Sequence, residues 1–262
     1  MIRAAFFDID GTLLPFGAPG LPASARTALD AMRAKGIKLF IATGRCESGL
    51  RDALKKLDYA FDGYVALNGQ YCFSETERIR TFPIPQNDVK GLLAYHEKYP
   101  ERIVCVDEVE FRHYNMRYGG GTGAYQIEGT HLPFSETLQR MIDNSIPIYQ
   151  VSATLPSDDD AEFIAHMPGC KAERWHPDHV DIIPAKGGKA VGIEAILSHY
   201  GMTLAESIAF GDGGNDVSMI EAAGIGVAMG NSGDALKQKA DYVTNNAEND
   251  GIFYAAAHFG LL

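Results

Sequence analysis

A short apolar run near the start of the chain, residues 2–7, ends abruptly at Asp8-Ile9-Asp10-Gly11. An apolar run of this length that stops at a turn signal is typical of a buried β-strand. Side chains alternate along a strand, so Asp8 and Asp10 are expected to point the same way just beyond its end. Two close carboxylates repel each other unless a cation binds there or one of them carries a proton. The pair indicates a functional site, although an acidic turn without function has the same composition.

Two further strand-like runs follow, with helical patterns between the strands. Residues 37–42 end at Thr43, and residues 64–67 end at Asn68. Strands that alternate with helices at this pace predict a parallel α/β sheet, in which ligands bind beyond the carboxyl ends of the strands. The polar residues at these ends are therefore expected to meet at one edge of the sheet.

The α/β pattern is interrupted by short strand-like and helix-like runs of mixed character, and it resumes afterwards. We predict a core domain of residues 1–82 and 186–262, with a cap domain, 83–185, inserted into it. An insert of about a hundred residues has the size of a small domain. A cap of this kind is expected to close over the strand ends, exclude water and contribute to specificity.

A second acidic segment follows the strand predicted at residues 207–210, and it contains Asp212, Asn215 and Asp216 among glycines. Glycine lets the backbone approach a ligand closely, and carboxylate oxygens are the hard ligands that magnesium prefers. Lys189 lies at the predicted start of a helix, where its compact charge and the first backbone amides can face a phosphate. The two acidic segments and this lysine predict a metal site beside an anion site.

Composition limits the partners and the compartment. A net charge of −11 argues against nucleic acid or an anionic membrane as a partner, since both would repel the protein. Neither an apolar stretch of about 20 residues nor a signal pattern is present, so we expect a cytoplasmic protein without a membrane span. The widely spaced cysteines predict neither a disulfide framework nor a zinc site; they are Cys46, Cys72, Cys105 and Cys170.

Two other patterns favour structural roles. The glycines at positions 119, 120, 121 and 123 resemble a phosphate cradle but lack a strand-to-helix context, so they predict a loop. His176 and His179 have a spacing suited to a metal, but Pro177 disfavours a helix that would hold both on one face. A second metal site is therefore the less favoured interpretation of this pair.

The order of the chemical segments resembles the four motifs of the haloacid dehalogenase-like (HAD) hydrolase superfamily, and the resemblance covers the whole chain. The matching segments are Asp8-x-Asp10-Gly11-Thr12, Thr43 after a strand, Lys189 at a helix start, and residues 211–216. The size of the insert and three short segments are similar to those of Cof-type (type IIB) phosphatases: Thr43-Gly44-Arg45, Leu67-Asn68-Gly69 and residues 224–231. The resemblance implies a Rossmann-like α/β core with an inserted α/β type IIB cap.

The resemblance also implies a magnesium-dependent (Mg2+) phosphatase that acts on small phosphorylated metabolites, sugar phosphates above all, through an aspartyl-phosphate intermediate. Asp8 would be the nucleophile, and Asp10 would protonate the leaving alcohol and then activate water. The cation would be held by Asp8, Asp212 and the backbone carbonyl of Asp10, with Asp216 behind these ligands. Phosphate binding would fall to Thr43, Gly44, Arg45, Asn68, Lys189 and Asn215.

Two alternatives stay open at this point. A phosphomutase would share the nucleophile and the acid–base group but would have to keep water from the aspartyl-phosphate. A non-catalytic sugar-phosphate sensor could use the same fold, because fold alone does not establish function. The intact set of acids and Lys189 favour an enzyme, and Asp10 favours phosphate chemistry over dehalogenation.

Overall fold

The computed structural model describes residues 1–115 and 134–262, which form two compact units. One unit joins Met1–Thr81 to Gly187–Leu262, and the other is Phe82–Lys186. These junctions differ by one residue from the predicted domain boundaries. The glycine-rich loop predicted at positions 119–123 lies outside the described residues.

The larger unit contains an eight-stranded sheet with the spatial order β13-β12-β11-β1-β2-β3-β4-β5. In chain order, its strands are β1 (Ala4–Phe7), β2 (Lys38–Ala42), β3 (Gly63–Ala66), β4 (Tyr71–Phe73), β5 (Arg78–Thr81), β11 (Ser207–Gly211), β12 (Ile225–Ala228) and β13 (Tyr242–Val243). The pairs from β13 to β3 are parallel, and β4 and β5 join the edge in antiparallel pairs. The predicted α/β class with a parallel sheet is confirmed, while the β4–β5 hairpin has no counterpart in the prediction.

Helices cover both faces of this sheet. They are α1 (Ala23–Ala34), α2 (Glu47–Leu57), α6 (Lys189–His199), α7 (Val217–Ala222), α8 (Asp234–Lys237) and α9 (Gly251–His258). Ala5 and Phe7 of β1 belong to one apolar layer, whereas Ala4 and Phe6 belong to the other. Because both faces of β1 are buried, the position of its carboxyl end is fixed by packing on either side.

The smaller unit is an antiparallel sheet with helices against it. Its elements are α3 (Gln86–Lys98), β6 (Ile103–Asp107), β7 (Arg112–Tyr114), α4 (Phe134–Asp143), β8 (Gln150–Thr154), α5 (Asp160–His166), β9 (Cys170–His176) and β10 (His179–Pro184). The strands lie in the order β7-β6-β8-β10-β9. Val104 and Ile182 of the sheet share an apolar core with Leu92, Leu138 and Phe163 of the three helices. Within the described parts of the chain, no helix combines the length and the apolar character needed to cross a membrane.

Candidate active site

The first acidic loop begins where β1 ends. The amide of Asp8 donates to the carbonyl of Phe210 on the neighbouring strand, at 3.0 Å. The chain then turns at Gly11, which has a φ of +84°, and the Gly11 amide donates to the carbonyl of Leu14 at 2.9 Å. A Cβ atom at Gly11 would collide with the carboxylate of Asp212. Glycine is therefore required both by the left-handed backbone and by the close approach of the second acidic loop.

Lys189 connects two of the acids. It is the first residue of α6 and is fully buried, and its Nζ donates to Oδ1 of Asp8 and to Oδ1 of Asp216, each at 2.6 Å. Burial alone would lower the pKa of Lys189, but the carboxylates of Asp216 and Asp8 raise it above its ordinary value. The lysine is therefore held in its charged form, and a buried cation lies beside Asp8.

The second acidic loop is held in shape by its own aspartate. Oδ2 of Asp216 accepts hydrogen bonds from the amides of Asp212, at 2.9 Å, and Gly213, at 2.8 Å. Both oxygens of Asp216 are thus engaged, one by Lys189 and one by the backbone. Oδ1 of Asp212 accepts a hydrogen bond from the Thr12 hydroxyl at 2.9 Å, which ties the second acidic loop to the first.

Asp8, Asp212 and Asp216 form a cluster in which one carboxylate oxygen from each lies within 4.8 Å of the others. Burial raises the pKa of Asp8 well above its usual range; Lys189 opposes this, and the neighbouring carboxylates add to it. Burial and the charge of Asp216 also raise the pKa of Asp212, to about 7. One lysine does not offset this much buried negative charge, so an oxygen-rich cluster of this kind fits a divalent cation.

Asp10 lies apart from that cluster and is paired with Arg45. Nε of Arg45 donates to Oδ2 of Asp10 and its NH2 donates to Oδ1, each at 2.8 Å, while NH1 donates to the carbonyl of Gly49 at 3.1 Å. The Asp10 side chain is 42% exposed, so it is accessible to a ligand. Arg45, which is predicted to bind phosphate, therefore places two donors on the predicted acid–base group.

The ends of β2 and β3 are joined by a short chain of hydrogen bonds. The carbonyl of Thr43 accepts from the amide of Asn68 at 3.0 Å, and the Thr43 hydroxyl accepts from the amide of Arg45 at 3.2 Å. Asn68 has a φ of +51°, and its Oδ1 accepts from Nδ2 of Asn215 at 3.0 Å. Gly44 lies in the same loop and is partly exposed. These contacts place the Thr43, Asn68 and Asn215 loops side by side.

The structure thus collects the predicted site residues at one edge of the sheet, in three linked sets. The sets are Asp8 with Lys189, Asp212 and Asp216; Asp10 with Arg45; and Thr43 and Gly44 with Asn68 and Asn215. Two residues without a role in the sequence prediction also contact the acids, namely Thr12 and Asn231. The signal for Asn231 is its place just after β12, because this is another carboxyl end of the same parallel sheet.

His176 and His179 lie in the smaller unit, at the turn between β9 and β10. Their ring centroids are 5.0 Å apart, and the Trp175 ring is stacked on His179 at 5.1 Å. Nδ1 of His179 is 3.1 Å from the Thr154 hydroxyl, and Nδ1 of His176 accepts from the amide of Asp178. Within residues 1–115 and 134–262, neither histidine joins a group of three metal-binding side chains.

Buried carboxylates, a buried lysine and polar loops meet at the strand ends of a parallel α/β sheet, an arrangement suited to a cation and an anionic group side by side. The chain belongs to the haloacid dehalogenase-like hydrolase family, whose sequence model matches residues 5–255. The predicted family is therefore confirmed.

Individual relatives match over nearly the whole chain. YkrA of Bacillus subtilis (strain 168) is 32% identical over 265 residues, which cover 99% of this chain and 98% of YkrA. The pyridoxal phosphate phosphatase YbhA of Escherichia coli (strain K12) is 29% identical over 272 residues, which cover 95% and 96%. The solved structure of BT4131, an HAD subclass IIB sugar phosphatase, has 33% identity and a TM-score of 0.80, with 99% and 100% covered. The protein is a phosphatase of this family that acts on phosphorylated small molecules.

Proposed function

We propose that the protein hydrolyses phosphate monoesters in two steps, through a phosphoryl group carried on Asp8, with Mg2+ as the cation and sugar phosphates as the substrate class. The observation that carries the proposal is the environment of Asp8. Its Oδ1 is held by Lys189, and no group of the described residues donates a hydrogen bond to its Oδ2. That second oxygen is left to interact with a ligand, which is what a carboxylate nucleophile requires.

The first step transfers the phosphoryl group. A carboxylate oxygen of Asp8 forms a bond to phosphorus, the bond from phosphorus to the leaving alcohol oxygen breaks, and Asp10 donates a proton to that oxygen. The two donors of Arg45 hold the Asp10 carboxyl in one orientation.

The second step releases phosphate. Asp10, which has lost its proton, removes a proton from water as the water oxygen attacks the phosphorus of the acyl phosphate. The bond between phosphorus and the Asp8 oxygen then breaks, so inorganic phosphate leaves and the Asp8 carboxylate is restored. Asp10 is protonated again, and the enzyme has returned to its starting state.

Several groups would stabilise the charge that moves during these steps. Lys189 supplies a buried positive charge beside Asp8, while the Thr43 hydroxyl and the Gly44 amide lie at the next strand end. Asn215 donates a hydrogen bond to Oδ1 of Asn68. The oxygen of the Asn68 side chain therefore faces Asn215, and this contact sets the orientation of the Asn68 amide group. We assign these residues to the oxygens of the transferring phosphoryl group.

The cation would be held by the carboxylates of Asp8 and Asp212 and by the backbone carbonyl of Asp10. When bound, it neutralises phosphoryl oxygens and orients them for in-line attack. Because every donor is an oxygen, the site suits a hard cation, and Mg2+ is the ion that we propose. Asp216 would act behind these ligands, since it already binds Lys189 and two backbone amides.

The substrate class is supported by the relatives. Their names, a pyridoxal phosphate phosphatase and a sugar phosphatase, both describe small phosphate esters. We propose the same class of substrate for this chain, with sugar phosphates ahead of other esters.

The test is phosphate release from a panel of sugar phosphates and pyridoxal phosphate, with and without Mg2+. We expect Mg2+-dependent release that is lost in Asp8→Asn and Asp10→Asn, and retained in the control Asp52→Asn, which changes an exposed carboxylate of α2. Tight binding of one compound without release from any of them would overturn the proposal in favour of a sensor or a mutase.

A further inference from the structure

We infer that Asn231 is a positioning residue, which holds the carboxylate of Asp212 against the loop that carries Asp8 and Asp10, so that its loss weakens cation binding although no ligand is removed. The inference rests on the proposed function, because it concerns the cation of the same site. Its evidence is separate, since it comes from the loop that follows β12 and from a side chain outside the ligand set.

The backbone around Asn231 is fixed by neighbouring strand ends. The amide of Met229 donates to the carbonyl of Gly211 at 3.0 Å, and the amide of Gly230 donates to the carbonyl of Asn245 at 3.0 Å. A side chain at Gly230 would press against Asn246. The Cα of Asn231 is therefore held at a defined place beside the second acidic loop.

All polar atoms of the Asn231 side chain are engaged. Nδ2 donates to the carbonyl of Gly11 at 2.9 Å and approaches Oδ2 of Asp212 at 3.3 Å, and Oδ1 accepts from the amide of Ala247 at 3.0 Å. The amide of Ala247 can only donate, so the oxygen of Asn231 must face it. The nitrogen must then face the two acceptors, Gly11 and Asp212.

This arrangement sets the distance between the two acidic loops. Gly11 and Thr12 belong to the loop that carries Asp10, and the Thr12 hydroxyl donates to the other oxygen of Asp212. Both carboxylate oxygens of Asp212 therefore accept hydrogen bonds from side chains outside its own loop. Asn231 binds the Gly11 carbonyl and Asp212 at once, so it fixes the turn and the carboxylate relative to each other. Loss of an outer partner of a metal ligand typically weakens metal binding by about 10–100-fold.

Two variants separate positioning from direct ligation. Asn231→Ala removes the donor, and we expect the dissociation constant for Mg2+ to rise about 10–100-fold. Asn231→Asp keeps the shape of the side chain but places a third acceptor against Gly11 and Asp212, so a positioning role predicts binding no tighter than in the alanine variant. If Asn231 were itself a ligand, the added carboxylate would retain or strengthen Mg2+ binding.

The experiment is isothermal titration calorimetry of the metal-free protein with Mg2+, and the control is Asn245→Ala. The side chain of Asn245 donates to the carbonyl of Asn249 at 3.3 Å, and it forms no hydrogen bond with either acidic loop within the described residues. Thermal unfolding in EDTA shows whether each variant is folded. If Asn231→Ala is not folded, the dissociation constant of Asn231→Asp for Mg2+ tests the inference instead.

Calorimetry with the ion alone separates this inference from the proposed function. Equal dissociation constants for the parent and Asn231→Ala, or parental binding in Asn231→Asp, would overturn the inference and leave phosphate release untouched. Mg2+ binding by the parent with no phosphate release from any ester would overturn the function instead. Weakened binding in both variants, with parental binding in Asn245→Ala, is the expected result.

Discussion

Replacement of Lys189 by methionine removes the buried cation that links Asp8 to Asp216, while the unbranched chain of methionine fills much of the same volume. Both hydrogen bonds of 2.6 Å are lost, and two buried carboxyl groups then face each other without Lys189. We expect the metal-free variant to be less stable than the parent, and the deficit to grow with pH.

The magnitude follows from the burial of the pair. Removing one partner of a buried ion pair costs about 3–5 kcal/mol of unfolding free energy if the remaining charge stays ionised. A carboxylate can escape by binding a proton, which costs about 1.4 kcal/mol for each pH unit above its unfolded pKa of about 4. Protonation of the carboxylate costs about 2 kcal/mol of unfolding free energy at about pH 5.5. At about pH 8.5 protonation costs more than leaving the carboxylate ionised without its partner. The deficit should therefore rise from about 2 to about 3–5 kcal/mol between these pH values.

The sign agrees with the direction of the shift at Asp8. Its folded pKa is already raised in the parent, so the native state binds more protons than the unfolded chain, and stability falls as pH rises toward the folded pKa. Removal of Lys189 raises the pKa of Asp8 further, so the fall in stability continues to higher pH.

The assay is thermal unfolding in EDTA at both pH values, where each kcal/mol corresponds to roughly 2–4 °C. Lys186→Met is the matched control, because it removes a lysine that is exposed three positions earlier. Added Mg2+ should recover part of the deficit at the higher pH. A deficit that is equal at both pH values, or larger at the lower one, would refute the electrostatic reasoning.

Three other predictions follow from the same contacts. Gly11→Ala should weaken Mg2+ binding in calorimetry and reduce phosphate release about 100-fold, because its Cβ meets Asp212. Gly17→Ala is the control, since Gly17 has a similar φ of +79° but open space around it, and this variant should keep both properties. Equal losses in the two variants would contradict the steric argument. Arg45→Lys should lower kcat for phosphate release about 10-fold, because a lysine ammonium lacks the rigid, planar pair of donors that Arg45 places on the two oxygens of Asp10. The exposed Arg51→Lys should have no effect. Replacing Mg2+ by Ca2+ should preserve binding but lower kcat/KM, because Ca2+ accepts more and longer ligand bonds, and equal rates with both ions would contradict the assignment.

The strand ends were accessible to sequence reasoning because their signal is local. Short apolar runs end at or just before Asp8, Thr43, Asn68 and Asp212, and each run predicts a strand. In a parallel sheet the carboxyl ends of such strands lie along one edge. Only two facts are needed, the side-chain period and the rule that ligands gather at carboxyl ends. For this reason the α/β class could be predicted, and the family was predicted from the resemblance of the ordered motifs; both predictions are confirmed.

The contacts between these loops could not be predicted in the same way. The hydrogen bonds from Arg45 to Asp10 and from Asn231 to Gly11 join positions far apart in sequence, and they depend on the backbone conformation of each loop. The period of apolar residues in the sequence carries no information about these loop conformations. Strands β4 and β5 were also hidden, because β4 has only three residues and β5, Arg78-Ile79-Arg80-Thr81, lacks the continuous apolar run that marks β1 and β3.

The central claim, a phosphoryl group carried on Asp8, is tested most directly by acid-quenched turnover with a phosphate ester and Mg2+, followed by mass spectrometry of the peptide that contains residues 4–14. We expect one added phosphoryl group at Asp8 early in turnover, absent from Asp8→Asn. Phosphate release by Asp8→Asn at the parental rate, or a phosphoryl group on another residue of the parent, would contradict it.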